Sequence, residues 1–85
     1  MDHSIHVVRF TPIKSGSHVV ALAEIELAGM LFRGLKLERR GAALDLAMPG
    51  RRIAGAWQIV YEPTDPELAR RLKAELVDHG SRRAA

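Results

Sequence analysis

The chain has 85 residues, of which 47% are hydrophobic and 27% are charged, so it suits one small globular domain and excludes a multidomain enzyme or a disordered protein. Because it has no cysteine, disulfides and thiolate metal sites are excluded, and we expect a protein of the reducing cytoplasm. Residues 1–4 include an acid and no apolar stretch, and no apolar run approaches the roughly 18 residues of a membrane span, so we expect a soluble protein that is not exported. Thirteen Lys and Arg against ten Asp and Glu give a mild net charge of +3, so the placement of the arginines matters more than their number.

Strand patterns begin near the N-terminus. Residues 4–11 are rich in β-branched side chains and end at Pro12, which predicts a first strand. Beyond a turn cluster at 14–17, apolar residues alternate over 19–27 and predict the clearest strand of the chain. Its second face starts with Val20 and Leu22, so the first half of this strand is apolar on both faces. Another part of the chain or a partner must cover it.

Three further strands are predicted between residues 30 and 61. A tight turn with Gly29 and Met30 as its central residues leads to a third strand over 31–37. Arg39, Arg40 and Gly41 form the next predicted turn. A fourth strand over 42–48 then stops at Pro49, a loop occupies 50–55, and a fifth strand follows over 56–61.

The apolar period changes from strand to helix after Pro63. Thr64 and Glu67 form a capping-box pattern with Pro66 in the first turn, which predicts a helix start. An apolar stripe follows, and Gly80 is the predicted stop. The stripe consists of Leu68, Leu72 and Leu76 with Ala69 and Val77 beside it. The prediction is an α+β domain over residues 1–80: an antiparallel β-meander of about five strands, with this helix packed on the sheet or on a dimer partner. Residues 81–85 are expected to be a disordered basic tail.

Patterns that would indicate catalysis or metal binding are weak. His3 and His6 are three residues apart, so on a strand they point to opposite faces and could not easily share a metal. Gly50 and Gly55 have the spacing of a phosphate-binding loop, but the Lys-Ser/Thr pair that should follow is missing. No acid, base and nucleophile set stands out. We therefore expect no enzyme, no cofactor, no metal and no small-molecule substrate.

Paired arginines are the remaining candidates for function. Within the predicted domain of residues 1–80 they stand at 39–40, 51–52 and 70–71, and any one pair is more often solvated surface than a binding site. The predicted loop raises Arg51 and Arg52 above the others, because glycine and proline on its flanks would project two guanidinium groups toward phosphates or base edges. The few aromatic residues are predicted to lie in the core, so no stacking platform for single-stranded nucleic acid is evident.

The chain resembles the SpoVG family, the stage V sporulation (septation) protein G family of small bacterial regulators. The resemblance is carried by residues 21–27, 34–37 and 41–52, and most strongly by an apolar strand that runs into Ala47-Met48-Pro49, one small residue and the pair Arg51-Arg52. Trp57 and Pro63 also stand where the family has an aromatic residue and a proline. Departures are a shorter second hairpin, Glu62 in place of a common histidine, and a basic C-terminus where many members have an acidic extension.

The resemblance implies an α+β domain that dimerises and binds DNA or RNA, with Arg51 and Arg52 as part of the contact. We expect a dimeric nucleic-acid-binding regulator whose positive surface also includes Arg33, Arg39 and Arg40. The alternative is a structural or protein-interaction module of the same fold without affinity for nucleic acid, which the small net charge makes credible.

Overall fold

The computed structural model describes residues 4–14 and 16–84, so His3 lies outside the described residues. Within these ranges the chain forms six strands and one helix. They are β1 (Ile5–Pro12), β2 (Val19–Leu27), β3 (Met30–Arg40), β4 (Ala43–Ala47), β5 (Gly50–Ile53), β6 (Ala56–Ile59) and α1 (Pro66–Ala84). The first four strands make one antiparallel sheet in sequence order, and β5 and β6 make a separate two-stranded sheet. The α+β class is confirmed, with one strand more than expected because residues 50–53 are extended.

The core lies between one face of the four-stranded sheet and α1. Alternate residues of β2 point into it, as the apolar period predicts, and they meet the leucine stripe of the helix. The buried side chains are Ala21, Ala23, Ile25, Leu27, Leu35, Leu37, Leu72 and Leu76. The helix therefore packs on the sheet of its own chain, which was one of the two arrangements expected. It is not long and apolar enough to cross a membrane.

The turn between β2 and β3 is centred one residue earlier than expected. Leu27 pairs with Met30, so the central residues are Ala28 and Gly29, with φ of 54° and 76°. Positive φ at both central residues is typical of a type I′ turn, whose twist matches that of the flanking strands. Met30 therefore belongs to β3 and not to the turn, and the expected turn over Gly29 and Met30 was wrong.

The next turn is also displaced. Arg40 pairs with Ala43, which leaves Gly41 and Ala42 as the turn, and Gly41 has the positive φ expected of it, 62°. Arg39 and Arg40 are the last two residues of β3 and do not form a hairpin tip. Adjacent strand residues point to opposite faces, so these two side chains diverge.

The helix begins with a cap different from the predicted capping box. The backbone N–H of Glu67 donates to Asp65 Oδ1 at 3.0 Å, and the N–H of Ala69 donates to the carbonyl of Asp65 at 3.1 Å. Asp65 is therefore the N-cap in place of Thr64. Pro66 directly after it accounts for this arrangement, because proline favours the first helical position and leaves the preceding residue to cap.

The helix does not stop at Gly80, and residues 81 to 84 are helical where a disordered tail was expected. A Cβ atom on Gly80 would lie 3.0 Å from Cζ of Phe10. The glycine thus allows the last turns of α1 to approach the Phe10 ring, which also packs against His79 with centroids 5.1 Å apart. Glycine within a helix costs only about 1 kcal/mol, so packing on β1 can hold the helix together beyond it.

Truncating the core leucine of the helix tests this arrangement. Leu76 is completely buried, so we expect Leu76→Ala to lower the free energy of unfolding by about 2–5 kcal/mol through lost burial and a cavity. Met30→Ala is the control, because Met30 is 59% exposed and its truncation should change stability by less than about 0.5 kcal/mol. Urea denaturation measures both. Equal effects of the two variants would contradict the packing.

Candidate functional site

Residues 50–59 form a two-stranded hairpin, here called the arm. Every side chain from Arg51 to Ile59 is exposed, and the arm shares no ladder with the four-stranded sheet. Ala54 and Gly55 form its turn, with φ of 51° and 82°. The expected loop over 50–55 was wrong, since these residues supply one strand and a tight turn. A lone two-stranded hairpin is marginally stable in water, so the contacts at its base matter.

Both ends of the arm are anchored on the same part of β3. A Cβ atom on Gly34 would lie 3.1 Å from Cβ of Pro49, so the proline that leads into β5 packs against this glycine. On the other side, the Tyr61 hydroxyl donates to the carbonyl of Arg33, and its ring packs on Phe32 with centroids 5.2 Å apart. The two ends are joined by a hydrogen bond of 2.8 Å from the N–H of Val60 to the carbonyl of Pro49.

Arg51 and Arg52 lie on opposite faces of the arm. Arg52 pairs with Trp57 and Arg51 pairs with Gln58, and successive residues of a strand alternate between faces. The two guanidinium groups were expected to project in the same direction, but they point to opposite sides of the arm. Arg52 donates from Nη1 to the carbonyl of Gly55 at 3.3 Å, which directs its side chain toward the tip. Among the described residues, no carboxylate forms an ion pair with either arginine.

The other predicted site residues are divided between the two ends of β3. Arg33 lies at the base of the arm, 3.9 Å by its Nε from Glu24. Arg39 and Arg40 lie six and seven residues further along, which is about 20 Å or more in a strand. The Arg40 guanidinium is 3.6 Å from both Glu38 and Asp45, so nearby carboxylates offset its charge. The structure thus brings Arg33 near the arm and leaves Arg39 and Arg40 apart from it.

Trp57 was expected in the core, and that expectation was wrong. The residue is 61% exposed and lies on the same face of the arm as Gly50 and Arg52. The sequence does contain a signal for this exposed position: two residues, Ala54 and Gly55, separate two extended segments, which is the pattern of a β-hairpin. Alanine is a weak residue for the first turn position, where asparagine or aspartate would have made that pattern clear.

A half-open apolar cavity of about 310 Å³ lies between the sheet and the start of α1. Its walls include Ile25, Leu35, Met48, Leu68 and Leu72, and it is bordered by Tyr61 and the helix cap. The cap carboxylate of Asp65 already accepts the hydrogen bond from Glu67. Across the residues that the structure describes, no three metal-binding side chains lie together.

No protein-family model matches this chain, and no curated protein matches it at a significant level. The resemblance to the SpoVG family remains a prediction that rests on the residues quoted above.

Burial raises the pKa of the Tyr61 hydroxyl, so the folded chain favours the neutral phenol. The stability that this contributes is present below the unfolded value of about 10 and is lost as the pH rises above it. We expect Tyr61→Phe to lower the free energy of unfolding by about 0.5–1.5 kcal/mol at neutral pH, because the hydrogen bond to Arg33 is lost. Above about pH 10 the difference from wild type should shrink. Urea denaturation at the two pH values measures it, and a difference that grows with pH would contradict the assignment.

Proposed function

We propose that this chain is a small regulatory protein that binds DNA or RNA through the arm, and that it acts without catalysis. One observation carries the proposal: the exposed arm holds two arginines and no carboxylate within its ten residues. A chain with a net charge of only +3 has little long-range attraction for a polyanion, so a local concentration of unpaired positive charge is the feature that favours this function.

The shape of the arm supports the same function. A two-stranded β-ribbon fits the major groove of duplex DNA, and extended segments also follow single strands. Since Arg51 and Arg52 point to opposite faces, one of them can approach base edges while the other reaches a phosphate. Arg33 at the base of the arm extends the positive surface, whereas Arg39 and Arg40 are proposed as peripheral contacts.

Removing both arginines of the arm tests the proposal. We expect Arg51→Ala/Arg52→Ala to weaken binding by about 1–3 kcal/mol for each lost base contact, and each lost phosphate contact should flatten the salt dependence by about one unit of slope. Both side chains are exposed, so folding should persist. Anisotropy of labelled DNA and RNA oligonucleotides at two salt concentrations measures the effect.

A charge-matched control uses the helix. Arg70→Ala/Arg82→Ala removes the same charge from exposed residues of α1, which pair with Glu67 and Asp78. This variant should keep most of the affinity. If the two double variants lowered the affinity equally, binding would depend on the basic surface as a whole and not on the arm, which would contradict the proposal.

We also propose that the protein is a homodimer. Leu22 is exposed on the face of the sheet opposite α1, so one chain leaves the doubly apolar part of β2 partly uncovered. β1 and β4 are edge strands, which offer unpaired backbone groups to a second copy. Such edges and faces are what a homodimer of a small domain covers.

The mass in solution tests the dimer. We expect sedimentation at micromolar concentration to give the mass of two chains, because a second copy would cover the apolar surface around Leu22. A stable single-chain mass would contradict this proposal and leave the one on nucleic acid standing.

Ile53, Ile59 and Val60 favour the alternative, a protein-interaction module. Their side chains are exposed on or beside the arm, and exposed apolar surface is typical of protein contacts. The salt dependence distinguishes the two functions, because contact through an apolar face is far less sensitive to salt than contact with phosphates.

A further inference from the structure

The orientation of Trp57 is set by a glycine. A Cβ atom placed on Gly50 would lie 2.6 to 2.7 Å from three neighbouring indole atoms, Cε2, Cζ2 and Nε1. Near-equal short distances to three adjacent ring atoms mean that the indole lies with one face over the backbone of Gly50. Any larger residue at position 50 would displace the ring. The indole thus lies against the backbone of the arm.

The other face of the indole is uncovered. Trp57 is 61% exposed although one ring face rests on Gly50, so the exposed area belongs to the outer face and the ring edges. The ring contacts found in the described part of the chain join Phe10 to His79 and Phe32 to Tyr61, and neither pair involves Trp57. The Arg52 guanidinium turns toward the Gly55 carbonyl. A flat aromatic surface is therefore open to solvent.

An arginine stands directly across from this surface. Arg52 and Trp57 are cross-strand partners next to the closing pair of a two-residue turn, Ile53 and Ala56, which makes them a non-hydrogen-bonded pair with closely spaced side chains. One hydrogen bond to the Gly55 carbonyl leaves the other guanidinium donors of Arg52 available. An open indole face and a guanidinium group on one side of the arm match the two parts of a nucleotide, its base and its phosphate.

Resting on the proposed function, we propose that the face of the arm formed by Gly50, Arg52 and Trp57 binds single-stranded nucleic acid by stacking one unpaired base on the indole of Trp57. Bases within a duplex are already stacked on their neighbours, so a free aromatic face selects an unpaired base. Arg52 holds an adjacent phosphate.

Charge favours this occupant over a second copy of the chain. In a two-fold contact the arm would meet its own copy, which would bring the arginines of both arms into one interface. The ten residues of the arm contain no carboxylate to pair with them. A polyanion meets no such repulsion.

The experiment uses the fact that Trp57 is the single tryptophan of the chain, so its fluorescence reports on this face alone. The full-length protein is titrated with a fluorescein-labelled 12-nucleotide oligoadenylate and with a labelled duplex of equal length. Label anisotropy measures binding, and the same titration with unlabelled oligonucleotides measures tryptophan fluorescence. We expect the single strand to quench Trp57 and to bind more tightly than the duplex.

Variants separate stacking from general apolar contact. We expect Trp57→Leu to weaken binding of the single strand roughly 5- to 150-fold and to leave duplex binding nearly unchanged, because one base stack is lost. Trp57→Phe keeps a ring and should retain much of the affinity. Gly50→Ala should reduce both quenching and affinity by displacing the indole. Met30→Ala removes an equally exposed apolar side chain outside the arm and should have no effect.

The outcomes distinguish this proposal from the proposed function. Binding of oligonucleotides without quenching, or equal loss of single-strand and duplex binding in Trp57→Leu, would overturn the stacking and leave nucleic-acid binding by the arm in place. Absence of binding to either probe would overturn both. A change of sedimenting mass in Trp57→Leu, with affinity unchanged, would assign this face to a contact between copies of the chain.

Discussion

The packing of α1 on one face of the four-stranded sheet is the contact on which the rest of the structure depends. Ala21 and Ala23 have short side chains, which leave space above that face of the sheet. Leu72 and Leu76 of the helix stripe fill this space. A sheet with one uncovered apolar face is not stable in a chain of this length, so the helix is needed to bury that face. Gly80 extends this contact to the end of the helix by admitting the Phe10 ring.

Contacts at the two ends of the arm determine where it stands on the sheet. Docking of α1 places its N-cap at Asp65 beside the sheet, and the short segment before it returns the chain from β6 across β3. Tyr61 in that segment and Pro49 at the start of β5 rest on Arg33 and Gly34. A hairpin with no sheet of its own to join is thereby held at both ends, while its side chains stay in solvent.

The exposed indole of Trp57 adds little to the stability of the core, since most of its surface remains in water. Its neighbours are Gly50, whose backbone lies against the ring, and Arg52, its partner on the opposite strand. In the described part of the chain no acidic residue pairs with Arg52, and an exposed aromatic ring beside such an arginine suits a nucleotide better than it favours solubility. The core is thus formed by burial of apolar side chains, whereas the arm keeps its side chains exposed to solvent.

Several elements follow from local pattern, and others do not. Alternating apolar residues predicted β2 over 19–27 with the correct buried face, and the 3.6-residue period predicted the stripe of α1. Both succeed because a buried face imposes a period that can be counted along the chain. The helix N-cap and the two displaced turns were predicted less well, since several residues at each boundary can cap or turn and the register of the strands selects among them.

The sequence predicted the arginines of the candidate site, whereas their arrangement and the exposure of Trp57 were not predicted. The sequence by itself determined that Arg51 and Arg52 lie next to each other between glycines, and that the chain has one α+β core. Only the tertiary structure decided that the two arginines point to opposite faces, that Trp57 is outside the core and that Arg33 lies at the base of the arm. The physical reason is that the arm buries no side chain of its own, so no apolar period marks its strands, and its position is set by distant contacts of Gly34 and Arg33 at its two ends.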